Sequence, residues 1–357
     1  MDPATRIARK MAALSEMGFQ RVESPALPTD STPLRDGRVK VTCSHPSMGT
    51  LVSVTAIHQS SDLIQEAAGL AFREMRRVVD LLNRYESSSA LSYLNREGVI
   101  VDPPHELTAV MGQARYFNQA SRGAFDATVQ PLVDLFRTSL GANRAAELSS
   151  DSKPTEADLL EALALVDGRK VEVGEKQIRL HHPGMGVTLD GIAKGYVVDR
   201  IAQILNQHGL DDFLIDAGGD IRTSGVREDG CPWKVGVQDP RKQGDLPDVI
   251  GLTNGSVATS GSYEIYFDRE RTHHHIVSAL TGASPQTSQS VSVVAPTTLA
   301  ADALATSVFV MEPERGVVFI ESLPQCACLI VDEQGRQWRS KGWRSASDLP
   351  TPKAGSP

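Results

Sequence analysis

Aromatic residues make up only 5% of this 357-residue chain, and it has just four cysteines. Four cysteines in so long a chain, Cys43, Cys231, Cys326 and Cys328, are no disulfide framework. Cys326 and Cys328 stand two apart in an apolar run, so on a strand they share one face as small buried hydrophobes. No apolar run approaches the ~20 residues that a membrane-spanning helix needs. Dense basic stretches are missing and the net charge is −8, which argues against a nucleic-acid partner gripped by its phosphates. Also absent are the Gly-x-x-x-x-Gly-Lys-Ser/Thr phosphate loop and the Gly-x-Gly-x-x-Gly dinucleotide fingerprint.

The start of the chain lacks a secretory core. Arg6, Arg9 and Lys10 precede Met11–Leu14, and charged Glu16 and Arg21 come soon after, so the run falls short of the roughly 7–15 unbroken apolar residues required. As written, the chain is expected in the cytoplasm; a start further upstream would make it periplasmic or membrane-anchored. What is present is an ordinary globular balance, 40% apolar and 22% charged, able to bury a core. Residues 1–38 read as a flexible lead, with three prolines between Glu23 and Asp36. Residues 39–345 read as the folded domain and 346–357 as a Pro/Ser-rich tail.

Periodicity locates the elements. Lys40–Thr42 and Thr50–Ala56 alternate as a strand pair around Met48-Gly49. Ile64, Ala68, Ala71, Met75, Val78 and Leu82 form one face of a helix from Asp62 to about Asn83. Further helices are predicted over Pro104–Ser121, after Thr155, over Gly191–His208, over Thr298–Val310 and over Glu314–Ser322. Strands are predicted at Lys170–Val173, Gln177–His181, Gly186–Leu189, Phe213–Ile215, Trp233–Val237, Asp248–Leu252, Tyr263–Phe267 and Ser290–Ala295. A hairpin of Cys328–Val331 with Gln337–Arg339 closes the series, and Arg137–Lys153 reads as a mobile excursion. Helices and strands interleave without a βαβ beat, which places the chain in the α+β class, with mixed sheets and packed helices.

Several clusters are able to carry chemistry. Asp302 and Thr306, four apart on a helix, share a face and offer two hard oxygens suited to Mg²⁺. The plainer alternative has Thr306 bonding back to the helix and Asp302 serving the helix dipole. Gly218-Gly219-Asp220 after a strand permits close backbone approach to a ligand, or is simply a tight turn. Asp190…Ala193-Lys194-Gly195 opens a helix, where free N–H groups attract anions. Thr259-Ser260-Gly261 supplies hydroxyls and a turn. Tyr85 is positioned to stack on a flat ligand or to sit half-buried. In His273-His274-His275, adjacent side chains on a strand alternate, so His274 is expected to face away from His275 and to tolerate change. One of the three would serve as proton acceptor.

The order of these motifs is more specific than any one of them. Met48-Gly49-Thr50, Tyr85…Ser89…Asn95, Gly123–Val129 with Asp126, Asp190…Lys194-Gly195-Tyr196, Ala217–Ile221, Thr259–Tyr263, His275-Ile276-Val277 with Thr281-Gly282, and Ala301–Thr306 succeed one another along the chain. Together, over Met48 to Met311, they resemble the ApbE family of FAD:protein FMN transferases. The resemblance implies a T-fold-type α+β architecture. It also implies an enzyme that cleaves FAD, attaches FMN to a threonine of a target flavoprotein and releases AMP. It further implies Mg²⁺ held by Asp302, Thr306 and a main-chain oxygen near Ala193, and His275 as base. Met48, Tyr85, Asp126, Lys194, Gly218, Gly219, Asp220, Thr259, Ser260 and Gly261 would then surround the flavin nucleotide. Hydrolysis of FAD to FMN and AMP, or FAD binding without catalysis, are the alternatives. Four positions depart from the family pattern: Ser278-Ala279 replaces Asp-Pro, Thr188 stands for Asp, and Ala90 for Glu.

Overall fold

Met48, with φ of 50°, and Gly49, with φ of 74°, turn the chain so that nine residues pair on each side. This hairpin is the start of the main sheet in a computed structural model that describes residues 28–141 and 154–348, except 239, 241–245, 264 and 269. Strand β1 (Pro28–Pro33) lies on the edge, followed by β2 (Val39–Ser47) and β3 (Thr50–His58). Helices α1 (Ser61–Leu82) and α2 (Ala90–Glu97) come next, then β4 (Val99–Val101), α3 (His105–Ala120), α4 (Gln130–Gly141) and α5 (Glu156–Ala164). Strands β5 (Val171–Val173) and β6 (Gln177–Leu180) form a small three-stranded sheet with β4.

The second half brings α6 (Ala193–Gln207), β7 (Asp212–Ala217), β8 (Ile221–Ser224), β9 (Trp233–Gly236) and β10 (Val249–Leu252). It continues with β11 (Gly255–Gly261), β12 (Ser288–Ala295), α7 (Thr298–Val310), α8 (Pro313–Glu321), β13 (Ala327–Asp332) and β14 (Gln337–Arg339). The main sheet has nine strands in the order β1-β2-β3-β7-β8-β11-β12-β13-β14. Every pairing in it is antiparallel, so the α+β class holds while the expected mixed sheets prove antiparallel.

Helices α1, α6 and α7 pack side by side on one face of this sheet. The apolar stripe of α1 is buried as its period demands, and Ser60 caps the helix by accepting from the Leu63 N–H at 3.2 Å. Helix α7 differs. Ten of its thirteen residues are buried, so it is apolar nearly all round and runs through the core. Strand β13 is buried at all six positions. Cys328 and Ile330 face the helices, while Ala327 and Leu329 face the β9–β10 pair and Trp343.

Four local expectations are corrected. Pro28–Pro33 pairs with β2, so the lead does not run unbroken to residue 38; both prolines sit at the ends of an edge strand, where a missing N–H costs no ladder bond. Residues 137–141 continue α4, and the remainder of the expected excursion, 142–153, lies outside the described residues. Among the described residues of Tyr263–Phe267 no strand forms. The chain there folds back on itself, with Phe267 N bonded to His273 O and His275 N to Ile265 O, leaving only an isolated Tyr266–His274 bridge. Gly186–Leu189 is likewise unpaired as a strand, held instead by Thr188 N to Ala127 O and Val187 N to Asn95 Oδ1.

Candidate active site

The core helix α7 carries one carboxylate, Asp302, only 6% exposed. A buried charge must be paired or hydrogen-bonded. Its Oδ2 accepts from the Gly195 N–H at 3.0 Å, in the first turn of α6, where free N–H groups and the helix dipole favour a carboxylate. The close approach needs glycine at 195, since a Cβ there would run into the Thr298 carbonyl. One turn further along α7, the Thr306 hydroxyl meets Ser260 Oγ of β11 at 3.3 Å. Thr306 therefore has a partner across the cleft, and no bond back to its own helix is needed to explain it.

Asp302 and Thr306 open into one cleft with Asp126, Lys194, Asp220, Thr259, Ser260 and His275. Lys194, the second residue of α6, reaches Asp220 Oδ2 at 3.6 Å, and Asp220 is 1% exposed. Thr259 is tied to Ser292 Oγ across β11–β12 at 2.7 Å. The positive ammonium thus meets the Asp220 carboxylate in the wall of the cleft.

Met48, Tyr85, Ala193, Gly218, Gly219 and Gly261 do not line this cleft. Gly218 and Gly219 form the β7–β8 turn, closed by Asp216 Oδ1 accepting both of their N–H groups. Gly218 has φ of 70°, and a Cβ on it would stand 2.5 Å from Thr50 Oγ1, so the turn abuts the β2–β3 hairpin that carries Met48. Gly261 ends β11 beneath the Tyr263 ring. Ala193 is the first residue of α6, its N–H donated to Leu189 O; from this segment the cleft is lined by Asp190, Gly191 and Lys194 instead. Asp126 lines the cleft, but its carboxylate is engaged by Thr128 N, Thr128 Oγ1, Asn118 Nδ2 and Gly168 N. That carboxylate bolts the wall together.

The histidine run resolves into three environments. His273 Nδ1 donates to Asp268 Oδ2, 2.8 Å away, and the ring rests against Phe136. Burial raises the Asp268 pKa, but the bonds from Thr272 and His273 outweigh it and bring it down to about 2. His274 is 1% exposed, meets Pro285 O through Nε2 at 2.9 Å and presents its ring to Phe309 of α7. Desolvation pushes its pKa down to about 4, so at neutral pH it is uncharged and Nε2 is the donor. His275 is half-buried and faces the cleft. Its neighbour His274 does face away, but into the core, so the expected tolerance to change is corrected.

Two departures from the family pattern keep a turn bond. Ser278 Oγ accepts from Leu280 N at 3.2 Å, and Thr188 Oγ1 accepts from Asp190 N at 3.2 Å, as a short acidic side chain would. Sequence reasoning missed Arg84, whose side chain is 3% exposed and joins Asp134, Asp190 and Tyr85. Nothing in the sequence near Arg84 distinguishes it from an ordinary helix-end arginine.

An antiparallel sheet backed by a core helix that feeds a carboxylate and a hydroxyl into a polar cleft defines an α+β protein with one candidate active site at that cleft. The ApbE family model matches residues 48–330, and the chain belongs to that family. The FAD:protein FMN transferase of Treponema pallidum is 33% identical over 284 residues, covering 73% of this chain and 76% of that protein. The Vibrio cholerae protein of the same name is 28% identical over 318 residues, covering 85% and 92%. Among solved structures, the ApbE protein of Thermotoga maritima superposes with a TM-score of 0.75 at 29% identity, covering 85% of this chain and 97% of that one. The Vibrio cholerae flavin transferase ApbE gives a TM-score of 0.71 at 26% identity, covering 88% and 98%.

Proposed function

We propose that this chain is an Mg²⁺-dependent FAD:protein FMN transferase that attaches FMN to a threonine hydroxyl of an acceptor flavoprotein and releases AMP. The observation that carries this reading is the convergence of Asp302, Thr306, Lys194 and His275 in one cleft. Family membership and the activity for which the relatives are named support the reaction class.

The donor set fits magnesium. A carboxylate and hydroxyls are hard oxygens, the ligand type that Mg²⁺ takes. Asp302 and Thr306 would hold the ion together with a main-chain oxygen near the start of α6 and the substrate's own phosphates. Bound there, Mg²⁺ would neutralise charge on the diphosphate oxygens.

The chain's own groups supply the rest. Lys194 would place its ammonium beside the diphosphate, and the Gly218-Gly219-Asp220 turn, Met48, Thr259, Ser260 and Gly261 would bound the nucleotide. Tyr85 would offer its ring to the isoalloxazine. His275 would take the proton from the acceptor threonine as its Oγ attacks the FMN phosphorus. A P–O bond forms there, the bridging P–O bond of the diphosphate breaks, and AMP leaves with that bond's electron pair.

Mass spectrometry of a threonine-containing acceptor incubated with this protein, FAD and Mg²⁺ tests the reading. Transfer adds the mass of an FMN phosphoester to the acceptor and releases AMP. Free FMN with unmodified acceptor would mean hydrolysis, and intact FAD would mean binding alone.

A further inference from the structure

Arg84 and Tyr85 are neighbours with opposite fates. Tyr85 is 63% exposed, whereas the Arg84 side chain beneath it is almost wholly covered. Arg84 Nε donates to Asp190 Oδ2 at 3.0 Å, Nη1 to Asp134 Oδ1 at 3.1 Å and Nη2 to the Tyr85 hydroxyl at 2.8 Å. Its guanidinium carbon stands 4.5 Å from the centroid of the Tyr85 ring, and that of Arg137 stands 5.4 Å away. One side chain thus ties together the end of α1, helix α4 and the turn that leads into α6.

A covered guanidinium is tolerated only when its donors are matched, and here all three nitrogens are engaged. Burial lowers the Arg84 pKa, but the charge of Asp190 and the contributions of Tyr85 and Asp134 outweigh it, so the cation persists. An exposed tyrosine ordinarily samples several rotamers, and a ligand that stacks on it must bear the cost of stilling it. Here the ring is already bonded at its hydroxyl and backed by a cation. Asp190, which lines the cleft, has its charge turned toward Arg84 and not left to oppose an incoming diphosphate.

We propose that Arg84 is the positioning residue of the cleft mouth, holding the Tyr85 ring ready for the flavin and compensating Asp190. This rests on the reading of Tyr85 as the flavin platform. Arg84 does not touch the reacting atoms, so its loss acts on flavin affinity and leaves the chemical step alone.

The test combines Arg84→Met, Arg84→Lys, Tyr85→Ala and the double variant Arg84→Met/Tyr85→Ala. FAD binding is read by flavin fluorescence, KM and kcat by AMP release, and folding by thermal melts. Arg84→Met should weaken FAD binding about tenfold, the scale of re-ordering one side chain plus an uncompensated charge, with kcat within about twofold. In the Tyr85→Ala background the same change should cost less than about threefold, because the ring it positions is gone. Arg84→Lys, which keeps charge but not the fork, should fold and show a smaller affinity loss of the same kind. Equal losses in both backgrounds, or a fall in kcat at unchanged FAD affinity, would overturn the proposal. A weak Tyr85→Ala beside normal Arg84 variants sinks this inference alone, whereas wild-type affinity in Tyr85→Ala removes the flavin platform itself.

Discussion

Asp199 and Asp302 each cap the helix that carries the other. Asp302 of α7 accepts from the Gly195 N–H in the first turn of α6. Asp199 of α6 accepts from the Thr298 and Leu299 N–H groups in the first turn of α7, both at 2.9 Å. Each carboxylate satisfies orphan donors and meets the positive end of a dipole. The two helices are thereby locked in register, and the orientation of the cleft carboxylate is set by the same crossing.

That crossing is tight enough to decide the sign of a substitution. Alanine is favoured over glycine inside a helix by about 1 kcal/mol. At Gly195 the added methyl would strike the Thr298 backbone, which cannot swing aside as a side-chain tip would. Gly195→Ala should therefore destabilise by about 1–3 kcal/mol, the usual cost of overpacking. Denaturant unfolding of the variant checks this, and a gain in stability would show that the helices can move apart.

Asp302→Asn is expected to remove transferase activity at all practical Mg²⁺ concentrations while the protein still folds. The amide oxygen can go on accepting from Gly195, whereas Asp302→Ala would leave that buried N–H unpaired, at a cost of about 1–3 kcal/mol. Comparing the melting points and Mg²⁺ titrations of the two variants separates the metal role from the capping role. Wild-type activity of Asp302→Asn at limiting Mg²⁺ would cancel the metal assignment.

His275→Ala and His274→Ala should fail in different ways. Losing a general base costs about 10²–10⁴-fold in rate, so His275→Ala should keep its fold and its FAD affinity but lose transfer by that factor. His274 fills core space against Phe309 and pairs with Pro285 O, so His274→Ala should lower stability instead. Melting curves beside single-turnover transfer assays distinguish them. Matching rates and melting points in the two variants would mean that another group takes the proton.

The His274 environment also predicts a pH response. Its folded-state pKa is about 4, against about 6.5 when unfolded, so the unfolded chain binds the extra proton first as pH falls. The stability of neutral burial is complete above about pH 6.5 and is lost between 6.5 and 4, by about 3 kcal/mol at the limit. Urea unfolding across that range should show the decline, and His274→Gln, which has no titrating ring, should flatten it. A wild-type curve already flat from pH 6.5 to 4.5 would contradict the neutral buried ring.

The local elements were legible wherever one residue pattern decided the outcome. The stripe from Ile64 to Leu82 has a single solution as a helix face, and α7 occupies the predicted Thr298–Val310. Asp302 and Thr306 share a side because helical geometry alone puts residues four apart together. Local pattern does not tell which groups from distant segments meet. Asp302 is held by a backbone N–H 107 residues away, and Arg84 finds Asp190 across 106 residues. The histidine run shows the same limit: alternation separates His274 from His275, but only packing against Phe309 makes one a core residue and the other a cleft residue. Backbone periods of two and 3.6 residues are properties of the chain itself, so where such a period runs unbroken, as in the two helices named, sequence determines the element and the face it presents. Burial, pKa and partner depend on what arrives on the other side, and the tertiary structure alone decides that.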